Sequence, residues 1–330
     1  MKKKIAMVAL WLAALVCCLC LADHFMRRDD SERKYGPFFE DKKGFDVLFF
    51  GTSRVLDGIT PMELWRDHGI TSYNMGNNSE PLGMTKWTLD LATDVHLPKV
   101  AVFDVFYVDH ALEETWTFSF RHMFYDALPL SAKKIEAVRA TQGKDGMQEF
   151  LMPFSLYHGR WEEILAGTTE RLVEAEKFMM GCEMRVGRQP RDNYTFTDEI
   201  ETKELPGHQA IREIVALCEK KDIQPVFVAL PGHASNQEQM NMNSVAPLCE
   251  ELGVPFINMV RMEGIIDYVE DCFDWHGHLD SEGAGKVTAY LGSWLKENYD
   301  LPDHRGEVGY DYWDENLVKY EARLEELGLK

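Results

Sequence analysis

Short apolar runs alternate along the chain with amphipathic segments. Runs rich in β-branched and aromatic residues occur at 47–50, 71–75, 100–105, 225–230 and 254–258. Segments with apolar residues at helical spacing follow them, at 62–67, 85–93, 205–222, 240–252 and 283–299. Strands separated by helices form βαβ units with right-handed crossovers. We therefore expect an α/β fold built on a five-stranded parallel sheet.

This alternation fails between residues 107 and 205, which are rich in aromatic, methionine and charged residues. About a hundred residues between two strands are too many for a loop without secondary structure. We therefore expect a long helical insertion after the third strand, covering the edge of the sheet.

The amino-terminal segment carries an uncharged run at 5–22, preceded by Lys2, Lys3 and Lys4. The length suits a short membrane-spanning helix, and the lysines favour a cytoplasmic amino end. Residues 1–24 are interpreted as an uncleaved single-pass anchor with the body outside the cytoplasm. The alternative is a signal peptide cleaved after Ala22, which would leave a secreted protein.

Two further segments flank the expected domain at 45–300. Residues 25–44 are charged and turn-rich, which indicates a stalk. Residues 301–330 form a tail with apolar residues at helical spacing, from Trp313 to Leu327. A strut packed on its own domain is favoured over a helix that binds a partner.

Composition and charge exclude several classes of function. The chain has 330 residues, of which 45% are hydrophobic, and a formal net charge of −20. So acidic a surface argues against nucleic acid as a partner, and against anionic lipids or teichoic-acid phosphates bound through bulk charge. Of the seven cysteines, Cys17, Cys18 and Cys20 lie in the amino-terminal apolar run and the other four are widely spaced, so neither a zinc site nor a disulfide framework is indicated, and we expect no cofactor.

The first candidate for chemistry is the turn after the first strand, FFGTSR, which contains Ser53. In an open parallel sheet such a turn lies at the carboxyl end of a strand, where ligands bind. Ser53 is therefore placed like a nucleophile. The alternative is that it only caps the following helix, since serine is a preferred capping residue.

The second candidate is the stretch DCFDWHGHLDSEGAGKVT. His278 lies just before a helix that Asp280 or Ser281 caps, and Asp274 could fix its tautomer as the acid of a base–acid pair. His276 lies between them in the chain. Asp274, His276 and His278 could also be read as a metal site, but no further ligand cluster supports it, and we predict none.

A nucleophilic serine also needs donors for the developing oxyanion. Gly76, Asn77 and Asn78 follow the second strand and could supply them. The two asparagines could instead serve a left-handed turn.

These residues together resemble the SGNH, or GDSL-type, hydrolase superfamily. The first block is matched by FFGTSR with Ser53, the second by YNMGNNS with Gly76, and the last by the Asp-His loop and HLDSEGAGKVT. The last stretch is similar to the pattern of membrane-anchored bacterial members, with Asp280 where Asn is usual. The resemblance implies a three-layer α/β/α, flavodoxin-like fold over residues 45–300, with strand order 2-1-3-4-5.

The chain departs from that superfamily at two points. The usual spacing is Asp-x-x-His, whereas Asp274 precedes His278 by four residues. The Gly-x-Asn block after the third strand is also missing, and VAVFDVFYVD offers Asp104 instead.

The resemblance implies an enzyme that acts through an acyl-serine intermediate. Related anchored members act on envelope or exported polysaccharide, as alginate O-acetyltransferases and the teichoic-acid D-alanylation protein do. We expect a serine esterase or O-acyltransferase for acyl groups, acetyl above all, with a carbohydrate substrate and, for a transferase, an acyl-donor membrane protein. The alternative is a non-catalytic relative that binds a glycan or a membrane partner in the same cleft.

Other residues are candidates for substrate contacts. Arg54 could bind a substrate anion, although pairing with a surface acid is favoured, and His276 lies beside the base. Tyr157, Arg160 and Trp161 could form a face on which a sugar stacks, although aromatic residues in an insertion more often pack it.

Overall fold

The structure is a computed structural model that describes residues 2–112, 118–168, 171–173, 175–189 and 194–329. Five parallel strands form one sheet in the order β2-β1-β3-β4-β5. The strands are β1 (Val47–Phe50), β2 (Ser72–Asn74), β3 (Val100–Asp104), β4 (Gln224–Ala229) and β5 (Phe256–Asn258). The expected parallel sheet and strand order are thus confirmed.

Helices cover both faces of the sheet, and further helices lie outside these two layers. In the described residues the helices are α1 (Lys2–Met26), α2 (Asp29–Glu40), α3 (Ser53–Gly58), α4 (Pro61–His68), α5 (Leu82–Ala92), α6 (Phe118–Ala127), α7 (Ala132–Leu151), α8 (Phe154–Tyr157), α9 (Trp161–Ala166), α10 (Pro206–Lys221), α11 (Asn236–Asn243), α12 (Val245–Leu252), α13 (Ser281–Asn298) and α14 (Asp311–Glu326). The segment expected as one helix at 240–252 is two helices, α11 and α12, which are divided at Ser244. α11 also begins earlier than expected, where Ser235 and Glu238 form a capping box.

The central strands β1, β3 and β4 are largely apolar on both faces, which explains their hydrophobic runs. In β1, Val47 and Phe49 enter one core together with α13, while Leu48 and Phe50 enter the other, together with α5 and α10. This produces the three-layer α/β/α arrangement. The carboxyl ends of β1 and β3 therefore open at one rim of the sheet, beside the loops that carry the candidate site.

The segment expected as a stalk is different in the structure. Residues 29–40 form α2, whose Tyr35 and Phe38 are fully buried in the core. Lys34 is also buried, and its ammonium donates to the main-chain oxygens of Asn74, at 3.2 Å, and Gly181. Two of the charges that suggested a solvated stalk, Asp30 and Lys34, are thus buried, while Asp29, Glu32 and Glu40 stay exposed on the outer side of α2.

The tail packs on its own domain. Trp313, Tyr320 and Leu324 of α14 are buried. The Tyr320 hydroxyl donates to Glu63 of α4 at 2.9 Å. These contacts fit the strut interpretation of residues 301–330.

One helix of the described chain, α1, is long and apolar enough to cross a membrane. It has 25 residues and none of them is buried. Between β3 and α10, the described residues carry helices α6 to α9, and α6 packs on α2 while α7 packs on α5.

Candidate active site

The turn after β1 is held by contacts that only glycine permits. At Gly51 φ is +150°, and a Cβ atom there would meet Asp104 Cβ and Val55 Cγ2, each at 2.8 Å. Thr52, not Ser53, caps α3, since its hydroxyl accepts the Arg54 N–H at 3.2 Å. The same hydroxyl donates to Asp104 at 3.2 Å. Ser53 is therefore the first residue of α3, and its hydroxyl is not used as a cap.

The loop before α13 turns tightly at Gly277. There φ is +74°, and the Gly277 N–H donates to the Asp274 carbonyl at 3.0 Å. Asp280 then caps α13 by accepting the Gly283 N–H at 2.9 Å. The turn accommodates the additional residue between Asp274 and His278, so the Asp274 carboxylate still reaches the His278 ring.

Ser53, His278 and Asp274 form one chain of hydrogen bonds. Ser53 Oγ lies 2.7 Å from His278 Nε2. His278 Nδ1 lies 2.7 Å from Asp274 Oδ2. Asp274 Oδ1 accepts the main-chain N–H groups of His276, at 2.9 Å, and His278, at 3.1 Å. A hydroxyl, an imidazole and a fixed carboxylate in this order can transfer a proton from serine to histidine.

The Asp274 carboxylate is held in its charged form. Partial burial opposes ionisation of Asp274, but the hydrogen bond and charge of His278 and the two main-chain N–H groups outweigh it. Together they lower the pKa of Asp274 to about 2. Asp274 is therefore ionised at neutral pH and can stabilise a protonated imidazole.

Two of the three residues expected as oxyanion donors have other partners. The Gly76 N–H donates to the Asn74 side chain and the Asn77 N–H to the Gly51 carbonyl, both at 2.9 Å. The Asn77 amide donates to the Phe120 carbonyl at 3.0 Å. Asn78 instead lines the cavity above Ser53. Within the described residues, neither the Asn78 side chain nor the Ser53 N–H has a recorded protein partner, so these two groups are the better candidate donors.

Arg54 does not pair with a surface acid, as the favoured interpretation had it. It is buried, and its guanidinium donates to the carbonyls of Leu230, at 3.2 Å, and His233, at 2.5 Å. Its central carbon lies 3.4 Å from the ring centroid of Phe106. Burial lowers the pKa of Arg54, and the nearby Asp104 carboxylate opposes that shift.

A cavity of about 710 Å³ opens over Ser53 and His278. His276 lies on its wall, together with residues that the sequence did not single out. These are Ser79, Phe106, Tyr107, Phe120, Leu172, Arg185, Tyr194, Thr195, His233, Ala234, Ser235, Glu238 and Trp275. The aromatic composition of the insertion hinted at Tyr107, Phe120 and Tyr194, and no sequence signal indicated the others. Tyr157, Arg160 and Trp161 are not among the lining residues.

An acidic cluster lies one helical turn from Ser53. Arg185, on the cavity wall, donates to Asp57 at 3.2 Å and to Glu183 at 2.8 Å. Burial raises the pKa of Asp57 to about 7, even though the charge of Arg185 opposes it. Among the described residues no group of three or more His, Cys, Asp or Glu side chains is arranged to hold a metal ion.

No family model matches the chain. Among curated proteins it is similar to the orotate phosphoribosyltransferase of Saccharophagus degradans, with 27% identity over 81 residues, which are 24% of this chain and 35% of the relative. The chain thus matches about a third of that relative's length. Among solved structures it is similar to a protein from Desulfitobacterium hafniense DCB-2 described as a G-D-S-L family lipolytic protein. That likeness has a TM-score of 0.39 and 11% identity, and covers 75% of this chain and 97% of the other.

Proposed function

We propose that this chain is a serine esterase or O-acyltransferase of the SGNH type. The observation that carries the proposal is the pair of 2.7 Å contacts that link Ser53 to His278 and His278 to Asp274. Nucleophile, base and orienting acid come from segments more than 200 residues apart, and they meet at the floor of a cavity. Such an arrangement is typical of acyl transfer through a serine ester.

The mechanism follows from the atoms in contact. Ser53 Oγ attacks the carbonyl carbon of the substrate ester, while its proton passes to His278 Nε2. Asp274 accepts the Nδ1–H and so fixes the tautomer that leaves Nε2 free to act as a base. The protonated His278 then gives its proton to the leaving alcohol, the original ester bond breaks, and the acyl group stays on Ser53.

The second half-reaction decides between the two activities. His278 takes a proton from an incoming hydroxyl, whose oxygen attacks the acyl-serine and releases Ser53. Water as the acceptor yields a free acid and makes the protein an esterase. A sugar hydroxyl yields a new ester and makes it a transferase. The oxyanion of both steps would lie against the Ser53 N–H and Asn78.

The proposed substrates are acyl groups, acetyl above all, on cell-envelope or exported polysaccharide. Both polar groups and aromatic rings line the cavity, and Trp275 is 61% exposed. Such a surface suits sugar rings, which offer apolar faces and hydroxyl edges. The α1 helix would anchor the body on the extracytoplasmic side, where a membrane protein could donate the acyl group.

A fluorophosphonate probe tests the catalytic assignment. Mass spectrometry of the labelled full-length protein should find the adduct on Ser53, and labelling should be lost in Ser53→Ala and His278→Ala. Ser79→Ala is the matched control, because Ser79 lines the same cavity and should leave labelling intact. Hydrolysis of a small acetyl ester with and without an oligosaccharide acceptor then separates the esterase from the transferase.

The second candidate function is binding without turnover. It is favoured because the Gly76 and Asn77 N–H groups already donate to other protein atoms, which leaves fewer donors for an oxyanion. Loss of a single donor typically costs about a hundredfold or more in rate. A folded protein that no probe labels but that retains an acylated glycan would support this function.

A further inference from the structure

A short helix beside the end of α1, α9, exposes its apolar face among the residues that the structure describes. All six residues of α9 are exposed, including Trp161 at 49%, Ile164 at 40% and Leu165 at 79%. α9 continues a helical run that begins with α8 and passes through a 3-10 turn at His158–Arg160, and the buried Tyr157 of α8 ties that run to the body. Apolar side chains exposed together on one face mark an interaction surface.

The sequence of α9 is amphipathic. At 100° per residue, Trp161, Ile164 and Leu165 fall within an arc of about 100°, while Glu162 and Glu163 lie on the remaining surface. Three large apolar side chains thus project to one side and the two carboxylates project away from it. Met152, at the end of α7, adds a fourth exposed apolar side chain at 59%.

The position of this face relative to α1 is fixed by hydrogen bonds. Arg160, directly before α9, donates to the carbonyl of Met26, the last residue of α1, at 2.8 Å. Arg27 donates to the Asp126 carbonyl at 2.5 Å, and the Asp126 carboxylate accepts the Tyr157 hydroxyl at 2.7 Å. The end of α1 and the start of α9 are therefore held together.

We propose that Met152, Trp161, Ile164 and Leu165 form a second membrane contact, which lies in the lipid interface where α1 leaves the bilayer. This inference rests on the proposed anchoring role of α1. A helix of 25 residues is about 37 Å long and exceeds a hydrocarbon core of about 30 Å, so its end reaches the headgroup level. Trp is favoured at that level, and the arc of α9 suits a helix lying in the interface plane.

The contact would also fix the height of the catalytic cavity above the bilayer. Phe120 lines the cavity, and Asp126 of the same helix binds Arg27 at the end of α1. Six residues of α-helix span about 9 Å. On the other side, the N–H of Leu172, which also lines the cavity, donates to Asp30 at 2.6 Å. The body would thus be held with its cavity close to the membrane surface, where a membrane-held acyl donor can reach it.

Photo-crosslinking in vesicles tests the contact. The full chain is reconstituted in phosphatidylcholine vesicles that contain a photoactivatable phosphatidylcholine, and lipid adducts are mapped by mass spectrometry. Adducts are expected on α1 and on residues 152–165. Adducts confined to α1, or links from residues 161–165 to a second copy of the chain, would overturn the proposal. Absence of adducts on α1 as well would instead refute the anchoring role, and with it the premise.

A pair of matched variants sharpens the test. Ile164→Glu with Leu165→Glu should reduce lipid adducts on the segment at least fivefold while leaving those on α1 unchanged. Val308→Glu with Val318→Glu is the control, because these valines are 92% and 67% exposed but belong to the C-terminal tail. Thermal unfolding followed by circular dichroism checks that both variants are folded. Equal lipid adducts on residues 161–165 in the wild type and the Glu variant would contradict the contact.

Discussion

Asp274 and His278 are four residues apart in the chain, yet Oδ2 of one lies 2.7 Å from Nδ1 of the other. The contact depends on Gly277, whose φ of +74° reverses the chain between them. A Cβ atom at this position would lie 2.1 Å from the main-chain nitrogen of His233. Both the backbone conformation and the close approach therefore require glycine.

Gly277→Ala should consequently impair catalysis. The added methyl group must displace the loop that carries Asp274 and His278, and a misplacement of about 1 Å can cost roughly a hundredfold in rate. We expect a loss of that order in kcat for a small acetyl ester. Gly264→Ala is the control, since Gly264 has a similar φ of +75° but nothing within 4 Å of its Cβ position. Equal effects of the two substitutions would show that backbone strain, and not the position of the loop, matters.

Asp274→Asn should lower kcat by roughly a thousandfold or more, because the amide favours the wrong tautomer of His278. Both carboxylate oxygens of Asp274 accept hydrogen bonds, so an NH₂ group must face a donor whichever way it turns. Steady-state hydrolysis of the small ester measures the loss. Asp267→Asn, on an exposed acid of the same loop region, should stay within twofold of the wild type. Activity of Asp274→Asn within threefold of the wild type would remove the proposed orienting role.

We expect Asn78 to have a catalytic role and Asn77 a structural one. Asn78→Ala should lower kcat by roughly a hundredfold without changing the unfolding temperature, as expected for one oxyanion donor. Asn77→Ala should lower the unfolding temperature, because the fully buried Asn77 amide donates to the Phe120 carbonyl. Wild-type kcat in Asn78→Ala would assign the oxyanion to other donors.

Stability should fall as the pH rises through the range in which Glu80 titrates. Burial raises the pKa of Glu80 from 4.5 to about 8, although Thr88, Thr85 and Lys34 favour the charged form. The folded state therefore binds this proton more tightly than the unfolded state does. Its contribution is fully present below pH 4.5 and is lost as the pH approaches 8. The unfolding temperature of Glu80→Gln should fall less between pH 5 and pH 8 than that of the wild type. The exposed Glu250→Gln should behave like the wild type, and an unchanged slope in Glu80→Gln would contradict the assignment.

The sequence predicted the sheet because the central strands are continuous apolar runs between turn residues, such as Val47–Phe50 before Gly51. It also indicated Ser53 and His278, since carboxyl ends of parallel strands meet at one rim. It could not show that the Gly76 N–H is taken by the Asn74 side chain, because such partners depend on side-chain direction. Nor could it show that Lys34 donates to carbonyls at residues 74 and 181, which only the folded chain brings together.

Trp275 and Trp161 lie at two possible positions of the glycan, the cavity and the sugar-stacking face expected in the insertion. Trp275 lines the cavity beside His276, whereas Trp161 lies at the end of α1 and outside the cavity. Stacking on an aromatic ring contributes about 1 kcal/mol, or roughly fivefold in affinity. Trp275→Ala should therefore raise KM for an acetylated oligosaccharide about fivefold, with kcat for a small acetyl ester within twofold of the wild type. Trp161→Ala should change neither value. The opposite result, a higher KM only in Trp161→Ala, would place the glycan on the insertion instead of in the cavity.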